Sequence, residues 1–177
     1  SSLLSDMNKD VNRLSVIAER FSKIGSKPEM ELIYVNEVLE NATEYMRRRV
    51  SDKVLITTHL PSDAEGAMVC LSLFEWVIEN LCKNAVDAMN GEGRIDVYMT
   101  SEKQQIYIDI KDTGKGIARK NFKTVFNPGY TTKKRGWGLG LTLAKRIIED
   151  YHAGRIYVKD SEVGKGTTFR IELTRVV

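Results

Sequence analysis

Ile78-Glu79-Asn80-Leu81-Cys82-Lys83-Asn84-Ala85-Val86-Asp87, residues 78–87, decide how this chain is read. They lie inside a stretch from about Val69 to Met89 that holds neither proline nor glycine and that Gly91 and Gly93 break. The spacing predicts one long helix there. At about 100° per residue, Leu71, Phe74, Ile78, Leu81 and Ala85 fall on one side, and Trp76, Asn80, Lys83, Asn84 and Asp87 on the other. Asn80 and Asn84 are one turn apart, so their amides converge on one object. Asparagine is a mediocre helix former, and two in mid-helix carry a cost. Taken alone, the pattern fits a solvated polar face or contact with a metal–phosphate group, because an amide oxygen is a hard ligand suited to Mg²⁺.

Working outward, a hairpin follows the long helix. Ile95, Val97 and Met99 alternate on its first strand, and Ile106, Ile108 and Ile110 on its second. Asp112-Thr113-Gly114-Lys115-Gly116 forms a turn. Residues 118–137 lack periodicity and carry Pro128, Gly129 and Gly136, as a loop does. A helix is predicted from Leu139 to Tyr151, then strands near 154–160 and 167–174 joined through Gly164 and Gly166. Upstream, a helix runs from about Val35 to Arg49 and a strand over 53–60, with a turn at Pro61-Ser62-Asp63. The mixture, with paired strands dominating the second half, predicts one mixed sheet with helices packed on a single face.

Residues 3–24 also read as a helix, with Leu4, Met7, Val11, Leu14, Ala18 and Phe21 spaced by threes and fours. A lone helix of this length is marginal in water, so its stripe needs a partner. That partner is either its own domain or a bundle or dimer seam. The break at Gly25-Ser26-Lys27-Pro28 favours the second.

Composition narrows the function classes. The chain has 177 residues, 42% apolar and 29% charged, as soluble globular proteins do. A net charge of +3 from scattered basic residues argues against nucleic acid as a partner. No apolar stretch reaches the roughly 18 residues of a membrane span, and the start is no signal peptide. Cys70 and Cys82 fit no zinc or redox spacing and read as reduced thiols in a reducing cytoplasm.

Three further places have chemical potential. Asp112 beside Gly114 and Gly116 sets an acceptor next to backbone that a ligand can approach, although the same residues make ordinary turns. Gly136-Trp137-Gly138-Leu139-Gly140-Leu141 leads straight into a helix, whose free N–H groups suit phosphate. It follows a loop, not a strand, and lacks the Gly-Lys-Ser/Thr ending, so neither a dinucleotide fingerprint nor a P-loop fits. Gly164-Lys165-Gly166-Thr167 reads by itself as a hairpin turn.

In this order, the boxes Glu79–Ala85, Asp112–Ile117, Val125–Lys133, Gly136–Leu141 and Gly164–Thr167 resemble the GHKL superfamily, which joins gyrase-type ATPases, heat-shock chaperones and histidine kinases. The resemblance covers about residues 70–174. It implies an α/β two-layer sandwich with a mixed, mostly antiparallel sheet, helices on one face and an added N-terminal helix. It implies ATP and Mg²⁺ as cofactors. Asn84 would ligate the metal and Asn80 support metal and phosphates, the two acting as the catalytic pair. Asp112 would bond the adenine amine, with Gly114, Gly116 and Ile117 close to the base and Thr167 near it through an ordered water. The lid would run from about Val125 to Trp137, bringing Phe126, Tyr130, Thr131, Thr132 and Gly136 to the nucleotide. Gly138, Leu139, Gly140 and Leu141 would receive phosphate oxygens. Lys133 and Arg135 are phosphate contacts or solvated lid charges.

The branch is read from what is missing. ATP-hydrolysing members usually place a Glu four residues before the metal Asn; here that residue is Asn80, and Glu79 is rotated by about 100°. Phe126-x-Pro128-x-x-Thr131-Thr132-Lys133 resembles the nitrogen-regulator-like histidine kinases. Many such kinases carry a Lys three residues past the metal Asn, where this chain has Asp87, also included in the site. The resemblance therefore implies a protein histidine kinase whose catalytic domain is residues 30–177. Residues 1–27 resemble the second helix of a dimerisation domain, a helical hairpin that pairs into a four-helix bundle. The rivals are an ATPase of the superfamily, an anti-sigma-type protein serine kinase and a docking pseudokinase. Neither His59, in a predicted strand, nor His152, at a helix end where a cation or cap suits the dipole, is an acceptor. The expected partners are a phosphoacceptor histidine domain, in cis or from a homodimer partner, and a response-regulator receiver domain. Membrane attachment is expected only through N-terminal regions outside this chain.

Overall fold

The structure, a computed structural model, describes residues 28–130 and 140–176. The predicted N-terminal helix and most of the predicted lid lie outside the described residues. In chain order the elements are β1 (Glu31–Tyr34), α1 (Val35–Arg47), β2 (Val54–His59), β3 (Gly66–Val69), α2 (Leu71–Ala88), β4 (Gly93–Glu102) and β5 (Gln105–Asp112). Short 3-10 turns follow at Arg119–Asn121 and Thr124–Phe126. Then come α3 (Gly140–Arg146), which runs into a π turn at Ile147–Tyr151, β6 (Arg155–Glu162) and β7 (Gly166–Thr174).

Five strands form one sheet in the order β2-β4-β5-β7-β6. β2 and β4 are parallel, and the other three pairs are antiparallel. The period-2 pattern decides which face is covered. Ile95, Val97, Met99, Ile106, Ile108, Ile110, Phe169, Ile171 and Leu173 are buried against the helices. The architecture is thus the two-layer sandwich that the sequence implied. On the opposite face Asp109 holds the Arg170 guanidinium at 2.7 and 2.8 Å and Lys159 at 3.2 Å. Burial pushes the Asp109 carboxyl up, but Arg170 and Lys159 outweigh it and leave it below its usual range. These residues help line an open cavity of about 380 Å³.

Three local expectations need correction. β1 and β3 form a separate two-stranded antiparallel ribbon that the sequence reading missed. Strands of four residues, Glu-Leu-Ile-Tyr and Gly-Ala-Met-Val, are too short to show an alternation. Trp76, placed on the polar side of α2, is buried. The helix is central, with α1 on one flank and the sheet and α3 on others, so its apolar arc exceeds half a turn. The last helix ends at Tyr151 as expected, but from Ile147 its final turn is the wider π form instead of α.

That turn ends at its cap residue, His152. Its Nδ1 lies 2.9 Å from the Ile147 carbonyl oxygen, and its Nε2 accepts the Cys70 amide at 3.1 Å. The ring must then be neutral, with the proton on Nδ1. Burial lowers its pKa in the same sense. His152 therefore caps its helix as expected, but not as a cation. It also ties the end of that helix to Cys70, the residue just before α2.

Candidate nucleotide site

On α2 the polar line is Asn80, Lys83 and Asn84, all half-buried, and Asp87, exposed, spaced i, i+3, i+4, i+7. Asn80 is the informative member. Its Nδ2 is buried and has no hydrogen-bond partner among the described residues. Buried amides are normally satisfied, so an orphaned one needs an explanation such as a ligand. A Cβ at Gly140 would lie 2.8 Å from the Asn80 Oδ1 and 3.0 Å from its Nδ2. The start of α3 thus lies directly against the Asn80 amide, and a side chain at Gly140 would have to displace it. Leu141, the next residue, packs at the margin of the core. Glu79 is buried, one residue round the helix from Asn80.

The second half of the site is the turn after β5. Asp112 sits at the strand end with the same parity as Ile108 and Ile110, so it faces the helical layer and is buried. Its Oδ1 accepts the Gly114 amide at 2.8 Å and the Thr167 amide at 3.3 Å. Burial pushes the carboxyl up against the opposing pull of those two hydrogen bonds. Oδ1 is saturated, while Oδ2 accepts no hydrogen bond among the described residues. One free acceptor suits a single exocyclic N–H; the paired N–H edge of guanine needs two.

The turn is bolted to α2 and to the β6–β7 turn. Lys115 donates its amide to the Ala88 carbonyl at 2.9 Å, one helical turn beyond Asn84. A Cβ on Gly114 would come within 2.7 Å of the Ala88 backbone. Gly116, at φ +76°, would drive a Cβ into the Glu162 carbonyl, and Gly164 donates its amide to the Lys115 carbonyl at 2.7 Å. The carboxylate and the paired amides therefore belong to one continuous surface built on α2.

Ile117 donates its amide to Ser161 Oγ at 2.7 Å. Ser161 in turn bonds the Gly166 carbonyl at 2.9 Å and Thr167 Oγ1 at 2.8 Å. Thr167 is buried beside Asp112. Sequence reasoning missed Ser161, and nothing in the sequence marks it. The Phe126 ring is buried, edge-on to Phe169 at 6.1 Å, and its carbonyl accepts from Thr142 at 2.8 Å. It anchors the entry to the lid segment on α3. Tyr130 packs at the margin of the core, its amide on the Asn127 carbonyl at 3.2 Å. Thr131, Thr132, Lys133, Arg135, Gly136, Gly138 and Leu139 lie outside the described residues. His59 pairs with Asp96 at 2.9 Å and stacks on Tyr98, on β2 as expected.

Taken together, a helix that presents paired amides, a glycine start to the next helix and a buried strand-end carboxylate define a nucleotide-binding α/β sandwich. The family described as histidine kinase-, DNA gyrase B-, and HSP90-like ATPase matches residues 71–176, and the chain belongs to it. Sporulation kinase A of Bacillus subtilis is 40% identical over 99 residues, covering 56% of this chain and 16% of that protein. The sensor histidine kinase ZraS of Escherichia coli is 40% identical over 97 residues, covering 55% of this chain and 20% of that one. The chain therefore spans about a fifth or less of the length of these relatives. Among solved structures, the catalytic domain of histidine kinase ThkA matches with a TM-score of 0.74 at 22% identity, over 82% of this chain and 95% of that one. ThkA in complex with the response regulator protein TrrA matches with a TM-score of 0.77 at 20% identity, over 98% of this chain and 49% of that one.

Proposed function

We propose that this chain is the ATP-binding catalytic domain of a sensor histidine kinase, residues 30–177, preceded in residues 1–27 by part of a dimerisation helix. The observation that carries the reading is the Asn80 Nδ2, buried beside Gly140 and without a hydrogen-bond partner among the described residues. The Asp112 turn docks on the same helix at Ala88. The relatives named above are kinases, which favours phosphoryl transfer over hydrolysis within the family.

When bound, Mg-ATP supplies the γ-phosphoryl group and the metal neutralises charge on the phosphates. Among the described residues, no cluster of three His, Cys, Asp or Glu side chains stands ready to cage a cation. Mg²⁺ itself keeps waters and takes one or two protein ligands alongside phosphate. Asn84 would provide one such oxygen and Asn80 would orient the phosphates. Asp112 Oδ2 would receive the adenine amine. The position four residues before Asn84 holds an amide, Asn80, and Glu79 is buried in another direction; the carboxylate on this line, Asp87, lies about two helical turns along from Asn80. The site positions and shields; the phosphoryl acceptor comes from elsewhere, a histidine on a helical domain in cis or from a homodimer partner. A response-regulator aspartate would take the group next, as the ThkA–TrrA complex suggests. Among the described residues no helix is long and apolar enough to cross a membrane. The cytoplasmic placement follows from the proposed use of ATP and a response regulator.

The test adds a separately produced acceptor-helix domain and labelled ATP. Label should appear on the acceptor histidine, none on this chain alone, and Asn84→Ala should abolish transfer by weakening metal-dependent affinity. Steady ADP release without transfer, lost in Asn84→Ala, would replace the kinase reading with an ATPase.

A further inference from the structure

Resting on the nucleotide-site reading above, we propose that Ser161 sets the choice of base, by fixing the Thr167 hydroxyl as an acceptor. Ser161 has one proton and three partners. The Gly166 carbonyl at 2.9 Å can only accept, so it takes the Ser161 proton. The Ile117 amide at 2.7 Å can only donate, so it occupies a lone pair on Ser161 Oγ. The remaining contact, 2.8 Å to Thr167 Oγ1, must then run from Thr167 to Ser161. With its proton committed, Thr167 turns only lone pairs to a ligand or an intervening water.

Thr167 and Asp112 are side by side across β5 and β7, joined by the Thr167 amide on Asp112 Oδ1 at 3.3 Å. The wall they form offers the Asp112 Oδ2 and the Thr167 Oγ1, both acceptors. An exocyclic amine such as that of adenine matches that wall. The carbonyl oxygen at the same place on guanine meets acceptors on both, and a buried mismatch of this kind discriminates strongly.

The fold places Ser161 there by a specific device. β6 pairs with β7 as Val158↔Phe169, then as Asp160↔Thr168 and Ser161↔Thr167, so Lys159 is an extra residue, a β-bulge. Phe169 and Thr167 both face the helical layer and are buried. Without the bulge, Asp160 would stand opposite Thr167 and put a carboxylate on the hydroxyl. With it, the inward position belongs to Ser161. Bulges commonly re-aim a side chain beside a functional site. Ser161 is a positioning residue: it acts through Thr167 and need not touch the nucleotide.

The experiment measures Kd for ATP and for GTP by titration calorimetry, with Mg²⁺, in the full chain and in Ser161→Ala, Thr167→Val and the double variant. Melting temperature reports folding. The wild type should prefer ATP. Ser161→Ala should cut the ATP-over-GTP ratio by about tenfold, the loss of one hydrogen bond's worth of discrimination, as the freed Thr167 hydroxyl turns to donate. In the Thr167→Val background, Ser161→Ala should leave the ratio where Thr167→Val put it. A folded Ser161→Ala protein that weakens both nucleotides equally, or keeps the ratio, overturns the proposal and leaves Ser161 a strut. So does an unchanged effect of Ser161→Ala without the Thr167 hydroxyl. If Ser161→Ala does not fold, Ser161→Thr, which keeps the hydroxyl, must retain the wild-type ratio, and a changed ratio overturns the proposal. A wild type with no preference for ATP refutes the site reading itself, a distinguishable result.

Discussion

Replacing Asp112 with Asn separates scaffold from ligand contact more cleanly than any other substitution here. The Asp112 Oδ1 accepts two backbone amides, from Gly114 at 2.8 Å and Thr167 at 3.3 Å. The Asn amide oxygen can take both, so the turn should hold. Only the outer atom changes, from a free carboxylate acceptor to an N–H donor. A hydrogen bond to a charged group contributes about 1.5–3 kcal/mol, and its loss should weaken ATP by roughly 10- to 150-fold. Fold stability should move the other way. Burial raises the Asp112 carboxyl above 3.8, so its ionised form costs stability once the pH passes the folded pKa. The variant should melt no lower than wild type at pH 7, and its advantage should vanish below pH 3.8, where both states of the wild type are protonated. Calorimetric titration with Mg-ATP alongside thermal melts reads both quantities. An ATP Kd within twofold of wild type, in a variant that melts normally, would mean that the base lies elsewhere.

The remaining expectations are these. Gly116→Ala should lower stability by about 1–3 kcal/mol, because a left-handed φ of +76° and the Glu162 carbonyl both oppose a Cβ; an unchanged melt would show that the β6–β7 turn yields freely. His152, neutral and held below 6.5, should give stability that is complete above pH 6.5 and declines as pH falls toward its folded pKa. Denaturant unfolding between pH 7 and 5 should show that slope, and His152→Gln should flatten it. Asp109, depressed by Arg170 and Lys159, should hold its contribution above 3.8 and lose it as pH falls through its lower folded value. Burial lifts the Cys82 thiol to about 12, so a thiol reagent at pH 8 should label it only after denaturation.

How much of this was legible follows from the range of each signal. The hairpin of β4 and β5 announced itself because Ile95, Val97, Met99 and Ile106, Ile108, Ile110 alternate over whole strands. The Asn80 and Asn84 spacing was equally plain, since a helix converts a difference of four into a shared face. Trp76 was misplaced because a helical wheel assumes one buried side, and α2 is enclosed by α1, α3 and the sheet. The β1–β3 ribbon failed for length. Ser161 was invisible for a different reason: its role depends on a register shift at Lys159 that no local pattern encodes. Gly116 and Gly164 read as turn residues, which they are. That each turn clamps the other through the Glu162 backbone is a tertiary fact.

Helix phase then carries the last step, from site to chemistry. One residue along α2 turns the side chain by about 100°, and that rotation separates Glu79, buried in the packing, from Asn80, whose amide lies under Gly140. Exchanging their order would put a carboxylate beneath the start of α3, where proposed phosphates sit, and give a water molecule a base. The observed order leaves an amide, which can orient a phosphate oxygen but cannot take a proton. On the proposed reading, a domain so built holds ATP intact until another group arrives to receive the phosphoryl. Asn80→Glu is the matching perturbation: it should raise slow ADP release in the absence of any acceptor, whereas a variant that stays silent while still binding ATP would show that helix phase alone does not decide between transfer and hydrolysis.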